Sequence, residues 1–147
     1  MSSVTLAQAS TIVDTALAKA RELGLHPLTV VVLDPGGHMV AMKREDNSGI
    51  LRAEIAGGKA WGTLGMGFGG REFARRAASG GALFLNALMA ASGGRIVPAP
   101  GGVLIRDTGG TVVGAVGISG DTSDKDEICC VAGIVAAGLT ADTGEKA

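Results

Sequence analysis

Apolar residues recur at Leu6, Ala9, Val13, Ala16, Leu17 and Ala20, the spacing of one face of an amphipathic helix. Thr5 followed by Gln8 is a capping-box pattern, and Gly24 ends the run, so the first helix is predicted over about residues 5–23. The rhythm then changes. "LTVVVLD" is continuous and β-branched, which suits a buried strand. "HMVAMKR" follows Pro35-Gly36-Gly37 and reads as the second arm of a hairpin. Residues 48–66 return to helical spacing, with Ser48 placed to cap them. Their apolar residues spread around the wheel: Ile50, Ala53, Ala60, Trp61 and Leu64 on one side, Ile55 and Ala56 towards the other. A helix with so little polar face is buried on more than one side, which in a small domain predicts a subunit interface.

Residues 71–91 read as a third helical region, interrupted near "SGG" at 79–81. "GGRIVPAPGG" is an irregular connection with a short strand expected at 95–97. "VLIRDTGGTVVGAVGIS" is again strand, turn, strand. In the last segment Ser123 or Asp124 can cap a helix, and Asp126 and Glu127 fall in its first turn, where the helix dipole favours anions. Ile128, Val131, Ala132 and Val135 supply its apolar face. The predicted order is α-ββ-αα-ββ-α, an α/β chain of the α+β type with two hairpins in one antiparallel sheet. The two corners, "LDPGGHMV" and "RDTGGTVV", share Asp-X-Gly-Gly. Turn chemistry accounts for the likeness, since Asp bonds its own turn backbone and glycine takes positive φ.

Composition narrows the class. The 147 residues suit one domain, 1–147 with its core at about 5–140, large enough to bury a core without staples. A net charge of −1 gives no footprint for nucleic acid, and one Trp, three Phe and no Tyr leave little for base stacking. Neither a signal peptide nor a spanning segment is read, so no membrane partner is expected and the cytoplasm is the expected location. Cys129 and Cys130 are adjacent, which strains a mutual disulfide, and are read as small hydrophobes on a helix. Adjacent cysteines also lack the spacing of a zinc chelate. Of the 25 glycines, Gly57 and Gly58 stand out, because they lie inside a predicted helix. A glycine there weakens the helix by about 1 kcal/mol against alanine, so another backbone or a ligand is expected to pack close.

Several stretches taken together, "VVVLDPGGHMVAMKRED", "EIAGGKAWGT", "PAPGGVLI", "GTVVGAVGISGDTSDKDE" and "CCVAGIVAAGL", resemble the GlcG/HbpS family, also called the haem-binding protein family and related to the PduO C-terminal domain. The resemblance spans about residues 5–140. It implies an antiparallel sheet of about five strands with flanking helices, and assembly into dimers or larger homo-oligomers, octamers included. It further implies a small organic ligand, haem in some members, and for others a place in catabolism without a settled activity.

The family's recurrent polar positions fall here on Arg44, Asp46, Glu54, Lys59, Pro100-Gly101-Gly102, Ser119-Gly120 and Asp126-Glu127. Read physically, each has a plain alternative. Arg44 and Asp46 form a surface salt bridge, or a guanidinium fork for a carboxylate with Asp46 orienting it. Lys59 is a solvated stripe residue, or a buried cation able to act as a base or Schiff-base amine. Glu54 and Glu127 are ordinary helix residues, or groups that move a proton at a site between subunits. The backbone amides of Gly101 and Gly102 form a rigid strand entry, or hold an oxyanion or carboxylate. His38 and His26 are turn residues, or axial haem ligands, with Met39, Met42, Met66 and Met89 available to line a cleft. "GISGD" lacks the last glycine of a nucleophile elbow and has no matching His-acid pair, which excludes a serine hydrolase. Two functions follow. One is a homo-oligomeric binding module for haem, a corrinoid or a small organic acid, with His38, Arg44, Asp46 and residues 100–102 as binding groups. The other is a cofactor-independent hydrolase, isomerase or decarboxylase acting on a small oxo- or hydroxy-acid, with Glu54, Lys59 and Glu127 as catalytic groups.

Overall fold

The computed structural model describes residues 2–146. The capping box forms as the sequence implies: the Thr5 hydroxyl accepts from the Gln8 amide at 3.1 Å, and the Gln8 side chain accepts from the Thr5 amide at 3.0 Å. Helix α1 (Leu6–Glu22) follows from it. Next come β1 (Thr29–Leu33), buried throughout, and β2 (Met39–Arg44), exposed along most of its length. Helices α2 (Leu51–Met66), α3 (Gly70–Ala78) and α4 (Ala82–Ala91) come next, the last two separated at 79–81. The second hairpin is β3 (Gly102–Arg106) with β4 (Val112–Ser119), followed by α5 (Ser123–Ala136) and β5 (Thr140–Asp142).

The strands form one antiparallel sheet in the order β2-β1-β4-β3-β5. The two hairpins lie side by side through the β1–β4 pairing. Alternate residues divide between its faces. Val30, Val32, Val103, Ile105, Val116 and Ile118 face α1 and α5. Val31, Leu33, Leu104 and Ala115 face Ala56 and Ala60 of α2. The continuous hydrophobic run of β1 thus reflects helices on both sides.

The two corners are nearly superimposable in their bonding. Asp34 Oδ1 accepts from the amides of Gly36 and His38 at 2.9 and 3.0 Å. Asp107 Oδ1 accepts from those of Gly109 and Thr111 at 3.0 and 2.9 Å. Gly37 and Gly110 stand at φ +83° and +86°, where a Cβ is disfavoured.

Five local expectations need correction. The inward face of α5 is Cys129, Cys130, Gly133 and Ile134, while Ile128 and Val135, expected there, are exposed. Ser48 does not cap α2; the N-cap position is Ile50, without a side-chain bond. The Ser48 hydroxyl instead pairs with that of Thr29, 2.8 Å away in a buried position. Neither Ser123 nor Asp124 caps α5, whose N-cap position is Thr122 with no side-chain bond. There the carboxylates turn to loop amides: Asp121 accepts from Thr122, and Asp126 from Asp121. Residues 95–97 form no strand, because the Val97 amide donates to the Gly58 carbonyl at 3.2 Å and pins the segment on α2. The fifth strand is the short β5, paired to β3. Segment 95–97 also covers a second side of α2. A Cβ built on Gly58 would lie 2.5 Å from the Arg95 carbonyl oxygen, and one on Gly62 would lie 2.5 Å from Ile96. The close approach expected at Gly57–Gly58 therefore belongs to Gly58, and nothing lies within 4 Å of a Cβ at Gly57.

Candidate functional site

Lys59 sits at the end of the sheet where β3 begins and β4 finishes. It is buried, 4% exposed. Its Nζ donates to the Ile118 carbonyl at 2.9 Å and to Asp126 Oδ2 at 3.3 Å. Asp126 is equally enclosed, and its other oxygen accepts from the Asp121 amide at 3.1 Å. Burial raises the Asp126 carboxyl above the ordinary carboxylate range, and the Lys59 charge opposes that rise. The ion pair crosses the sheet, joining α2 on one face to α5 on the other.

Gly101 and Gly102 make room for this pair. Gly101 has φ +99°, and a Cβ there would lie 2.8 Å from Lys59 Nζ; on Gly102 it would lie 2.5 Å from the Lys59 carbonyl oxygen. The Gly101 carbonyl accepts from the Ile118 amide at 2.9 Å and from the Cys130 thiol at 3.4 Å. Pro100 packs against Gly70 at the start of α3. The loop is thus a packing corner between α2, α3 and α5.

Glu127 points to α3. Its carboxylate receives Arg71 Nε at 3.0 Å and Nη2 at 3.1 Å, and Asp124 lies 3.1 Å from the same guanidinium. The Glu127 bond raises Arg71 further above its ordinary pKa. Sequence reading passed over Arg71; its only signal was position, as a cation five residues past the end of a buried glycine-rich helix.

Arg44 and Asp46 occupy a different region. Arg44 donates to the Ser48 carbonyl at 2.7 Å, and among the described residues it forms no ion pair with Asp46. Both line an open polar recess of about 500 Å3 with Arg21 and Glu45. Glu45 closes the base of this loop, accepting from the Leu28 amide at 2.7 Å and pairing with Arg21 at 3.1 Å.

His38 stands on the first hairpin corner, its side chain 81% exposed, with Nδ1 3.3 Å from Asp34 Oδ1. The turn amides, His38's first among them, hold the Asp34 carboxyl below its ordinary pKa. Glu54 lines a fourth place, a recess between α2 and the first hairpin that it shares with Arg95. Arg95, also missed from sequence, lies over the Trp61 ring at 4.3 Å from the centroid. Both cysteines are buried; desolvation pushes the Cys129 thiol up to about 11 and raises Cys130 well above its ordinary value, so neither offers a thiolate. Lys59, Gly101, Gly102 and Asp126 therefore meet, Glu127 lies on the same helix, and Arg44, Glu54 and His38 line three other recesses.

Comparison with known proteins agrees with this architecture. The sequence model of a family described as "Haem degrading protein HbpS-like" matches residues 4–135. An uncharacterized 15.0 kDa protein in the dhaT-dhaS intergenic region of Citrobacter freundii is 30% identical over 128 residues, 87% of each chain. The crystal structure of Klebsiella pneumoniae protein ORFY is similar at TM-score 0.83 and 26% identity, over 94% of this chain and 92% of that one. HbpS is similar at 0.76 and 25%, over 92% and 90%. The PduOC:heme complex is similar at 0.83 over 97% and 99%, and its 23% identity marks a shared fold.

Proposed function

Because the chain belongs to the HbpS-like family, we propose that it is a homo-oligomeric binding protein for a small organic ligand, with haem or another tetrapyrrole as the ligand class. The observation that carries this reading is His38, an exposed imidazole whose Nδ1 faces a carboxylate. A carboxylate beside one ring nitrogen of a histidine orients the other towards a metal. Nε2 is thereby left as the atom that would hold a haem iron, beside Met39 at the start of β2. Haem, when bound, would supply an iron centre whose reactivity its surroundings tune.

The fit is complete in donor and incomplete in enclosure. The recess at His38, formed with Ser2, Ser3, Asp34, Pro35 and Gly36, measures about 250 Å3. Clefts for drug-sized ligands run from about 300 to 1,000 Å3, so a second copy must close over a tetrapyrrole. Unburied apolar groups support such pairing: no residue of α4 is buried, and Leu83, Ile50 and Leu51 are widely exposed.

The enzyme reading has less support. Lys59 and Glu127 spend their charge on Asp126 and Arg71, and only Glu54 remains free to move a proton. Titration of the purified apo-protein with haemin tests the binding proposal. A shifted Soret band is expected for the wild type and a strongly weakened one for His38→Ala, with unchanged far-ultraviolet circular dichroism. A wild type that leaves the haemin spectrum unaltered would end the haem reading.

A further inference from the structure

We infer that the recess between α2 and the first hairpin is a second ligand site, for a small carboxylate that also carries a hydrogen-bond donor, such as a 2-hydroxy acid. The inference is independent of haem and of His38. Val31, Leu33 and Met39 give the recess apolar walls, and Glu54 and Arg95 both reach it. Among the described residues neither charge has a hydrogen bond or an ion pair within 4.0 Å. Both side chains are exposed and solvated, and two opposite charges that face one hollow without meeting offer a carboxylate-binding fork and an acceptor to a third molecule.

Arg95 is held ready for this. Its guanidinium carbon lies 4.3 Å from the Trp61 centroid. Stacking uses the face of the guanidinium and leaves its edge donors for the planar fork that suits a carboxylate. Trp61 is fixed in turn by the hairpin corner, where a Cβ on Gly37 would lie 3.1 Å from the indole.

Gly57 is the independent sign. Gly58 and Gly62, the two buried glycines of α2, are explained by the segment that crosses them. Gly57 has nothing within 4 Å of its missing Cβ and lines the recess. A mid-helix glycine weakens the helix; Gly65 is likewise without a close neighbour, and what distinguishes Gly57 is that it lines this recess. What its missing side chain leaves is room in the hollow. The cavity measures about 190 Å3, the share of about six water molecules, which suits a ligand of about six non-hydrogen atoms. In such a ligand the carboxylate meets Arg95, a hydroxyl donates to Glu54, and a short apolar end rests on Leu33 and Met39.

The test is lactate titrated into the full chain, followed by Trp61 emission and by calorimetry, with sodium chloride at equal ionic strength as the blank. Lactate is expected to give a saturable response. Propionate, without the hydroxyl, and lactamide, without the charge, are expected to bind about tenfold more weakly or worse. Arg95→Gln is expected to weaken lactate by about tenfold or more. Gly57→Ala should weaken it too while raising the thermal midpoint, a combination that a merely structural glycine does not produce. A lactate response equal to that of the salt blank overturns the inference. So does lactate affinity unchanged in both Arg95→Gln and Gly57→Ala.

Discussion

Lys59 illustrates how much hangs on a single side chain. Its charge is held 4% exposed only because Asp126 and the Ile118 carbonyl receive it. Removing one partner of a buried pair costs about 3–5 kcal/mol, whereas removing both is often close to neutral. Lys59→Met should therefore destabilise the fold strongly, and Lys59→Met with Asp126→Asn should recover much of the loss. The effect has a pH sign. Burial already raises the Asp126 carboxyl, and without the lysine it rises further. A raised carboxyl destabilises the folded state increasingly as pH climbs through its folded value. The single variant should thus lose more stability near about pH 8 than near about pH 5, and the double variant should lose that slope. Urea denaturation at the two pH values checks both points; equal losses would mean that Asp126 is not the group left uncompensated. The lysine in an apolar helix was conspicuous in the sequence, and both of its readings were open there. Its acceptor lies 67 residues away, and no local pattern connects the two.

Helix α4 poses the corresponding question among the elements. Its sequence, ALFLNALMAA, is apolar apart from Asn86, none of its residues is buried, and Leu83 is 84% exposed. A helix of this length is marginal in water by itself, so a covering surface is needed to hold it. If that surface is a second copy, Leu83→Glu should shift the protein to smaller species in light scattering and leave its circular dichroism intact; an unchanged mass would remove α4 from the self-contact. The longer elements were legible because period and punctuation agreed, as in the capping box of α1 and the Asp-X-Gly-Gly corners. β5 was not, since Thr140–Asp142 has neither length nor alternation and exists by pairing with β3, aided by the Arg106–Asp142 bond at 2.9 Å. The strand expected at 95–97 failed for the converse reason. Its apolar residues serve α2, which has glycines at Gly58 and Gly62 to receive them.

For the molecule as a whole, the acid limit of stability follows from carboxylates on several elements. Asp34, Asp121 and Glu72 are each held below their ordinary values, by the His38 amide, the His26 amide and the Arg75 guanidinium respectively. A lowered folded pKa gives stability that is present above the unfolded value, near about pH 4, and lost as pH falls through the folded value. On account of these three groups, thermal midpoints should drop as pH falls below that range. Asp34→Asn with Asp121→Asn should make the drop shallower, and an acid limb as steep as the wild type's would show that other groups set it.

Local pattern was enough for the order of elements up to α5, the two glycine corners and the hairpins, because these depend on neighbours within a few positions. The partners were set by how the layers pack. That packing gave Lys59 to Asp126 and Glu127 to Arg71, set Arg95 on Trp61, and distributed the polar candidates over separate recesses. A charge takes whichever opposite group the packed layers bring within reach, and that reach is a property of the folded sheet and its helices rather than of any stretch of chain.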